Sequence, residues 1–182
     1  SGAGTRPVSH RDMATPPVRL IIADAGPLII LSRVGELGLL LQVFGQVCIT
    51  DAVRDELLGG GTFPGQAGIE AALADWIDVV PVGIGTWEPA NPDLGAGEVS
   101  SLFLALHNPG SLLILDDAAA RREADWRGLN YVGLIGVVLE AKRRGRIEKA
   151  KPLLQSLQNA GYYLSERLLD KALATVGETN SR

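Results

Sequence analysis

The segment VRLIIADAGPL, residues 18–28, decides the fold class of this 182-residue chain. It opens with an isoleucine-rich apolar run over residues 18–23, the kind of run that occupies strands buried on both faces of a parallel sheet. Asp24 follows the run directly, and Pro27 suits the first turn of a helix. A buried strand that passes straight into a helix is typical of α/β proteins with parallel sheets.

The same alternation of short apolar runs and amphipathic stretches continues along the chain. Further strands are predicted at residues 46–49, 77–82, 112–115 and 130–132. Helices are predicted at residues 26–34, 36–44, 51–58, 66–76, 97–107, 118–127 and 134–144, with two more inside 147–177. This order predicts a three-layer α/β/α fold with a central, mostly parallel sheet of about five strands and helices on both faces.

Composition excludes several classes of function. The chain is 46% hydrophobic and 21% charged, which excludes a wholly disordered protein. The single cysteine, Cys48, excludes an internal disulfide framework and a CxxC site, and two histidines exclude a histidine-rich metal centre. A reducing, cytoplasmic location is the expectation. No apolar run approaches the roughly 20 residues of a membrane helix, so no membrane association is expected.

The N-terminal stretch lacks the basic and apolar regions of a signal peptide. Met13 is expected to be the natural start, with residues 1–12 an added leader. Residues 13–182 are then expected to form one domain, with 147–182 as a C-terminal helical extension.

Acidic residues lie where the predicted strands end. Asp24 follows the first strand, and the pair Asp116 and Asp117 follows LLIL. Glu98 opens the helix in GAGEVSSLFLAL, and Glu56 lies on the helix in TDAVRDELL. Because ligands of parallel sheets sit outside the carboxyl ends of the strands, these acids are expected to converge there.

Converging carboxylates repel one another, and a bound divalent cation relieves the repulsion. A ligand set made only of oxygen favours Mg²⁺ or Mn²⁺, which can activate water and stabilise charge on a phosphoryl group. Each acid also has a purely structural alternative. Asp24, Asp116 or Asp117 would cap the helix that follows, Glu98 would complement a helix dipole, and Glu56 would lie on a solvated helix face.

Basic and aromatic residues are the remaining candidates for binding nucleic acid. Residues 119–151 contain nine basic and four acidic side chains in a chain of net charge −4. This segment would steer phosphates toward an acidic metal pocket, or it is simply a set of helix surfaces. The larger aromatic residues are too scattered in sequence to predict a base-stacking platform, and packing is their expected role: Trp76, Trp87, Trp126, Tyr162 and Tyr163.

Four segments in order resemble the PIN-domain nucleases, in particular the prokaryotic branch similar to VapC-type toxins. They are IIADAGPLIILSRVGELGLL, VCITDAVRDELL, LGAGEVSSLFLAL and LLILDDAAARREA, and the end YYLSERLLDKALATVGE resembles the tail of that branch. The resemblance runs from about Leu20 to the C-terminal helix and implies a PIN-like version of the α/β/α fold.

The resemblance also implies roles for individual residues. It makes Asp24, Glu98 and Asp116 the principal ligands of Mg²⁺ or Mn²⁺ and Glu56 the supporting acid, with Asp117 replacing or assisting Asp116. The wider catalytic set is then Asp24, Glu56, Glu98, Asp116 and Asp117. Arg121 and Arg122 become candidate phosphate contacts. The chain departs from the family at Gly26, where many members have the hydroxyl of Ser or Thr.

The function implied is metal-assisted hydrolysis of RNA phosphodiester bonds by an endoribonuclease, the toxin of a toxin–antitoxin pair. The resemblance further implies a homodimer and a small antitoxin protein as partner. Two alternatives stay open. One is a non-catalytic PIN-like binding or regulatory module that acts through a protein partner, which the departure at Gly26 favours. The other is a DNA-directed nuclease or a phosphatase that uses the same acids.

Overall fold

Five parallel strands form the central sheet, in the spatial order β3-β2-β1-β4-β5. The computed structural model describes residues 19–181. The strands are β1 (Ile21–Ala23), β2 (Val47–Thr50), β3 (Ile77–Val80), β4 (Leu112–Ile114) and β5 (Asn130–Val132). The predicted α/β class and the five-stranded parallel sheet are confirmed.

Helices occupy most of the chain between and after the strands. They are α1 (Ala25–Arg33), α2 (Gly38–Phe44), α3 (Asp51–Gly59), α4 (Gln66–Asp75), α5 (Ala96–Leu106), α6 (Ala118–Trp126), α7 (Leu134–Arg143), α8 (Ala150–Asn159) and α9 (Glu166–Thr175). Most observed ends lie within two residues of the predicted ones. The expectations for residues 1–12, for a start at Met13 and for a strand beginning at residue 18 lie outside the described residues.

Alternate residues of each strand enter different cores, which explains why the strands read as continuous apolar runs. Ile21 and Ala23 join a large core with helices α1–α4 and α7–α9. Ile22 and Leu113 join a smaller core with α5 and α6. Both faces of the sheet are therefore covered, as in other all-parallel sheets.

The C-terminal helices α8 and α9 pack on the large core. Leu154 and Leu173 are fully buried in it. Glu178 ties the following segment to the N-terminus of α8, because its carboxylate accepts the N–H groups of Ala150 (2.7 Å) and Lys151 (3.1 Å). Lys142 of α7 lies 3.2 Å from the same carboxylate.

No single helix within residues 19–181 has the length and apolar character of a membrane-spanning segment. The pair α1 and α2 meets those criteria only jointly, with a bend of 118° between them.

Strand order places β1 at the centre of the sheet, between β2 and β4. From β1 the chain continues to β2 and β3 on one side of the sheet, and β4 and β5 lie on the other side of β1. The strand order therefore reverses direction at β1. In open parallel sheets, such a reversal forms a crevice at the carboxyl ends of the strands. Asp24 lies at this reversal.

Candidate active site

Asp24 joins the end of β1 to the start of α1. Its backbone N–H donates to the carbonyl of Ile114 at 3.0 Å, which fixes the residue beside β4. It occupies the N-cap position of α1, yet its side chain makes no capping hydrogen bond. The side chain is 7% exposed, and its Oδ1 atom has no hydrogen-bond partner in residues 19–181. A buried, unpaired carboxylate oxygen is costly, so the capping alternative does not account for this residue.

The pKa of Asp24 is raised from 3.8 to about 7. Burial is the largest cause, and the negative charges of Glu98, Glu56 and Asp117 add to it. The pKa of Glu98 is also raised, first by burial and then by Asp117 and Glu56. Four acids from four separate segments therefore share one electrostatic environment.

Glu56 reaches the site from α3 across to the start of α5. Its Oε1 atom accepts the N–H of Gly97 at 2.9 Å. A Cβ atom on Gly97 would lie 2.5 Å from that oxygen, so only glycine permits this approach. Glu56 is exposed overall, but it is more than an acid on a solvated helix face, because it also bonds the start of α5.

Glu98 lies in the first turn of α5, where its Oε2 atom accepts the N–H of Gly95 at 3.1 Å. This bond satisfies one of the free donors at the helix start. A second link positions the same turn: Ser100 donates to the carbonyl of Gly97 at 2.9 Å and lies 2.7 Å from the hydroxyl of Thr50. Thr50 also accepts from the N–H of Val53 at 3.1 Å as the N-cap of α3.

Asp116 and Asp117 take different roles. Asp117 caps α6 by accepting the N–H of Ala120 at 2.8 Å, and its charge acts on Asp24 and Glu98. Asp116 instead accepts the N–H of Leu134 at 3.3 Å, at the start of α7. The two adjacent carboxylates therefore accept from different helices, Asp117 from the start of α6 and Asp116 from the start of α7.

Arg121 and Tyr162 complete the surroundings of Asp116. Arg121 lies 3.1 Å from its carboxylate and donates from Nε to the carbonyl of Leu115 at 2.8 Å. The Tyr162 hydroxyl donates to Asp116 at 2.6 Å, and burial followed by this bond raises the pKa of Tyr162. Gly133 leaves room for the Asp116 carboxylate, since a Cβ atom on residue 133 would lie 2.5 Å from Asp116 Oδ1.

Within residues 19–181, no three side chains of His, Cys, Asp or Glu stand where they would hold a metal ion together. The predicted cage of Asp24, Glu98 and Asp116 is therefore not formed as such. Asp116 is instead engaged by Arg121 and Tyr162. The acid whose charge reaches Asp24 and Glu98 is Asp117.

Asp24 and its neighbours still fit a hard divalent cation by their chemistry. Asp24 Oδ1 is a buried acceptor to which no donor of residues 19–181 is bonded. The acids around it offer only carboxylate oxygens, the ligands that Mg²⁺ and Mn²⁺ prefer. A cation there would offset both causes of the raised pKa of Asp24, the burial of its charge and the repulsion by the neighbouring acids.

The two predicted phosphate contacts differ in their surroundings. Arg121 donates to Asp116 and to the carbonyl of Leu115, so part of its guanidinium is already engaged. Arg122 is exposed and forms no ion pair with the carboxylates of the described residues. Much of the remaining basic segment is paired, for example Arg127 with Glu123 at 2.9 Å.

Several residues that shape the site were not singled out from the sequence. Gly97 and Ser100 lie beside Glu98 in LGAGEVSS, and their roles depend on how close α3 comes to α5. Tyr162 lies 46 positions from Asp116. Only the glycine before Glu98 offered a signal, since a glycine inside a helix often marks a close approach of another element.

A cleft of about 680 Å³ lies next to the acids. Asp116, Asp117 and Arg121 line one part of it, and Tyr162 and Tyr163 line another. A molecule larger than an ion can therefore reach Asp117 through this cleft, whereas Asp24, Glu56 and Glu98 are not part of its lining.

Comparison with known proteins places the sequence in one family. Residues 20–178 match the family described as DUF3368, PIN domain. Among solved structures, the chain is similar to a PilT N-terminus domain protein from the hyperthermophilic archaeon Sulfolobus solfataricus P2, with a TM-score of 0.47 and 13% sequence identity. That match covers 81% of this chain and 98% of the other. No curated protein matches the sequence.

Proposed function

The chain belongs to the DUF3368 family of PIN domains, and on that premise we propose that it is a metal-dependent endoribonuclease that hydrolyses RNA phosphodiester bonds. PIN domains are a nuclease-type family and are typically dependent on divalent metals. The observation that carries the proposal is the buried Oδ1 atom of Asp24, which lacks a hydrogen-bond partner among the described residues and has three acids around it.

Asp24, Glu98 and Asp117 are the residues that would hold Mg²⁺ or Mn²⁺ in this proposal. Their charges interact, and the exposure of Asp117 leaves its carboxylate accessible at the mouth of the site. When bound, the cation supplies a lowered pKa for water and stabilisation of charge on the phosphoryl group.

The other acids act on the framework. Glu56 holds the first turn of α5 through the N–H of Gly97 and thereby places Glu98. Asp116 joins β4 to α7 through Leu134 and to α6 through Arg121, which fixes the turn that carries Asp117. Asp24 is excluded from solvent, which strengthens its electrostatic interactions with a bound charge.

The finer parts of the proposal depend on the resemblance of the four segments to VapC-type proteins. They are the choice of RNA as substrate, a role as the toxin of a toxin–antitoxin pair, a small antitoxin protein as partner, a homodimer and a cytoplasmic location.

A non-catalytic PIN-like module that acts through a protein partner is the second candidate. Two observations favour it. The described residues lack three ligands in position for a metal ion, and Gly26 lacks the hydroxyl that many family members carry. A Cβ on Gly26 would meet nothing within 4 Å, so Gly26→Ser restores the hydroxyl without a clash. If Gly26→Ser cleaves RNA and the wild type does not, the result would favour the non-catalytic module, because the wild type would lack a group that cleavage needs.

The test is cleavage of a labelled single-stranded RNA by the purified protein with Mn²⁺, and separately with Mg²⁺. Asp24→Asn is expected to lose cleavage, whereas Asp170→Asn, an exposed acid on α9, is expected to cleave as the wild type does. Equal cleavage by the wild type and Asp24→Asn would point to a contaminating nuclease and contradict the proposal.

Parallel reactions with single-stranded DNA and with a small phosphomonoester separate the remaining alternatives. The proposal predicts that RNA is hydrolysed fastest. Preferential hydrolysis of DNA or of the monoester would assign the acids to a DNA nuclease or to a phosphatase.

A further inference from the structure

Trp126 is the most exposed tryptophan among the described residues, with 72% of its surface accessible to solvent. It is the last residue of α6, the helix that Asp117 caps at its other end. Tryptophan rings are enriched at binding interfaces, and this one lies on a helix that begins at the candidate active site.

Trp126 belongs to a cluster that the sequence does not predict. The guanidinium of Arg127 lies 5.2 Å from the centre of the Trp126 ring and 4.9 Å from that of Trp87. Phe103 packs edge-on against Trp87 at 5.6 Å. Two of the scattered aromatic residues, Trp87 and Trp126, therefore lie on either side of the Arg127 guanidinium.

Glu123 holds the cluster in place. Its Oε1 atom accepts from Arg127 at 2.9 Å and from the N–H of Ala90 at 2.7 Å, and the side chain is 4% exposed. Burial raises the pKa of Glu123, but the hydrogen bonds from Ala90 and Arg127 outweigh it and keep the group ionised. Arg127 is therefore anchored against one face of Trp126, while the high exposure of the ring leaves its other face accessible.

Arg122 connects this ring to the candidate active site. Ala119, Arg122 and Trp126 lie on one side of α6 and line the same shallow cleft of about 330 Å³. Asp117 and Trp126 are separated by about 14 Å along the axis of α6, since its nine residues rise 1.5 Å each. That length corresponds to about four stacked nucleotides at 3.4 Å each.

We propose that the side of α6 formed by Ala119, Arg122 and Trp126 binds single-stranded RNA, with a base stacked on Trp126 and a phosphate at Arg122. This inference rests on the proposed function for the identity of the substrate. It adds a site for the strand beyond the cleavage point. The face joins a preformed aromatic ring to Arg122, which pairs with no carboxylate of residues 19–181. This combination binds single strands without reading their sequence.

The test measures binding without cleavage, so that its outcome is independent of the nuclease proposal. A fluorescent ten-nucleotide RNA is titrated with protein in EDTA, and its anisotropy is followed. Trp126→Ala and Trp126→Leu are expected to weaken binding about 5- to 100-fold, whereas Trp126→Phe, which keeps a π face, stays within about threefold of the wild type. Circular dichroism checks that each variant is folded.

Two further arms sharpen the result. Arg122→Gln is expected to weaken binding and to flatten its dependence on salt, because one phosphate contact is lost. A duplex of the same sequence should be insensitive to Trp126→Ala, since its bases are already stacked within the helix.

Equal affinity of the wild type and Trp126→Ala for the single strand would overturn the inference. Full affinity in Trp126→Leu would also overturn it, because apolar area rather than base stacking would then be recognised, as a protein partner would require. Neither result bears on the nuclease proposal, which the cleavage assay tests separately. Conversely, loss of cleavage with retained Trp126-dependent binding would contradict only the nuclease proposal.

Discussion

Asp24 is the side chain of the candidate site whose ionised form most opposes folding. It is buried at the end of β1, where its Oδ1 atom has no donor among the described residues, and three like charges surround it. An asparagine or serine would cap α1 without such a cost. In the proposed function, a bound divalent cation would be the partner that makes an acid favourable at this position.

Replacing Asp24 should stabilise the metal-free protein. The pKa of Asp24 is about 7 in the folded state against 3.8 for the free side chain, so folding is opposed whenever the group is ionised. At about 1.4 kcal/mol per pKa unit, the upper limit is about 4 kcal/mol. Asp24→Asn is therefore expected to raise the free energy of unfolding in EDTA at pH 8, measured by urea denaturation.

The effect should depend on pH in a defined direction. As the pH falls from 8 toward 4, the folded protein takes up a proton at Asp24 before the unfolded chain does, so the wild type gains stability. The advantage of Asp24→Asn should shrink accordingly and nearly vanish at pH 4. An advantage that is constant from pH 8 to pH 4 would contradict the raised pKa.

Asp116 should respond in the opposite way to substitution. Its carboxylate accepts from Arg121, Tyr162 and Leu134, so Asp116→Asn leaves donors without their charged acceptor. We expect a loss of about 1–3 kcal/mol in the free energy of unfolding, measured by urea denaturation with Asp170→Asn as the control. A stabilising substitution at Asp116 would show that it, too, belongs to the repulsive group of acids.

At the scale of elements, the site depends on the contact between α3 and α5. Glu56 of α3 accepts from Gly97 of α5, and Thr50 at the start of α3 contacts Ser100 of α5. These bonds hold the first turn of α5, and with it Glu98, against the end of β2. The acids converge because two helix starts are tied together.

Gly97→Ala tests this contact. The added Cβ would lie 2.5 Å from Glu56 Oε1, which must move away and give up its hydrogen bond. Because the end of a flexible side chain yields easily and alanine favours helix, stability should change by less than about 1 kcal/mol. RNA cleavage should fall at least tenfold. The matched control is Gly68→Ala in α4, where a Cβ meets nothing within 4 Å, and it should cleave normally.

The sequence predicts elements well and side-chain partners poorly, for a physical reason. Strands such as β5 are marked by their local composition and by the turns around them, and Asn130–Val132 agrees with its prediction residue for residue. The direction taken by Asp116 depends on Tyr162, which only the packing of α8 and α9 brings near. The meeting of Trp87 with Trp126 through Arg127 likewise depends on tertiary contacts.

At the scale of the whole molecule, the C-terminal helices support the site. Tyr162 lies between α8 and α9 and reaches Asp116, while Leu154 and Leu173 of these helices are fully buried in the large core. Glu178 fastens this segment through Ala150, Lys151 and Lys142. Stability at the far end of the chain therefore affects the surroundings of Asp116.

Glu178→Gln should loosen this end of the molecule. Burial raises the pKa of Glu178, but the bonds from Ala150, Lys151 and Lys142 outweigh it, so the pKa is lowered below 4.5. Its contribution is present above that pH and is lost as the pH falls through the lower, folded-state value. We expect a loss of about 1–3 kcal/mol at pH 7 by urea denaturation.

The matched control for Glu178→Gln is Glu148→Gln, an exposed acid nearby, which should leave stability within about 0.5 kcal/mol of the wild type. Near pH 3 the difference between Glu178→Gln and the wild type should diminish. Equal stability of the two proteins at pH 7 would show that Glu178 does not fasten the C-terminal helices.

The proposed function requires that Asp24 and its neighbouring acids bind a divalent cation at the crevice beside β1. Anomalous diffraction from crystals soaked in Mn²⁺ tests it most directly, with Asp24→Asn crystals soaked in the same way as the control. The account predicts an anomalous peak about 2.1 Å from Asp24 Oδ1, with a carboxylate of Glu98 or Asp117 also in contact, and no such peak in the variant. Well-soaked wild-type crystals with no peak beside Asp24, or with an unchanged peak in the variant, would contradict it.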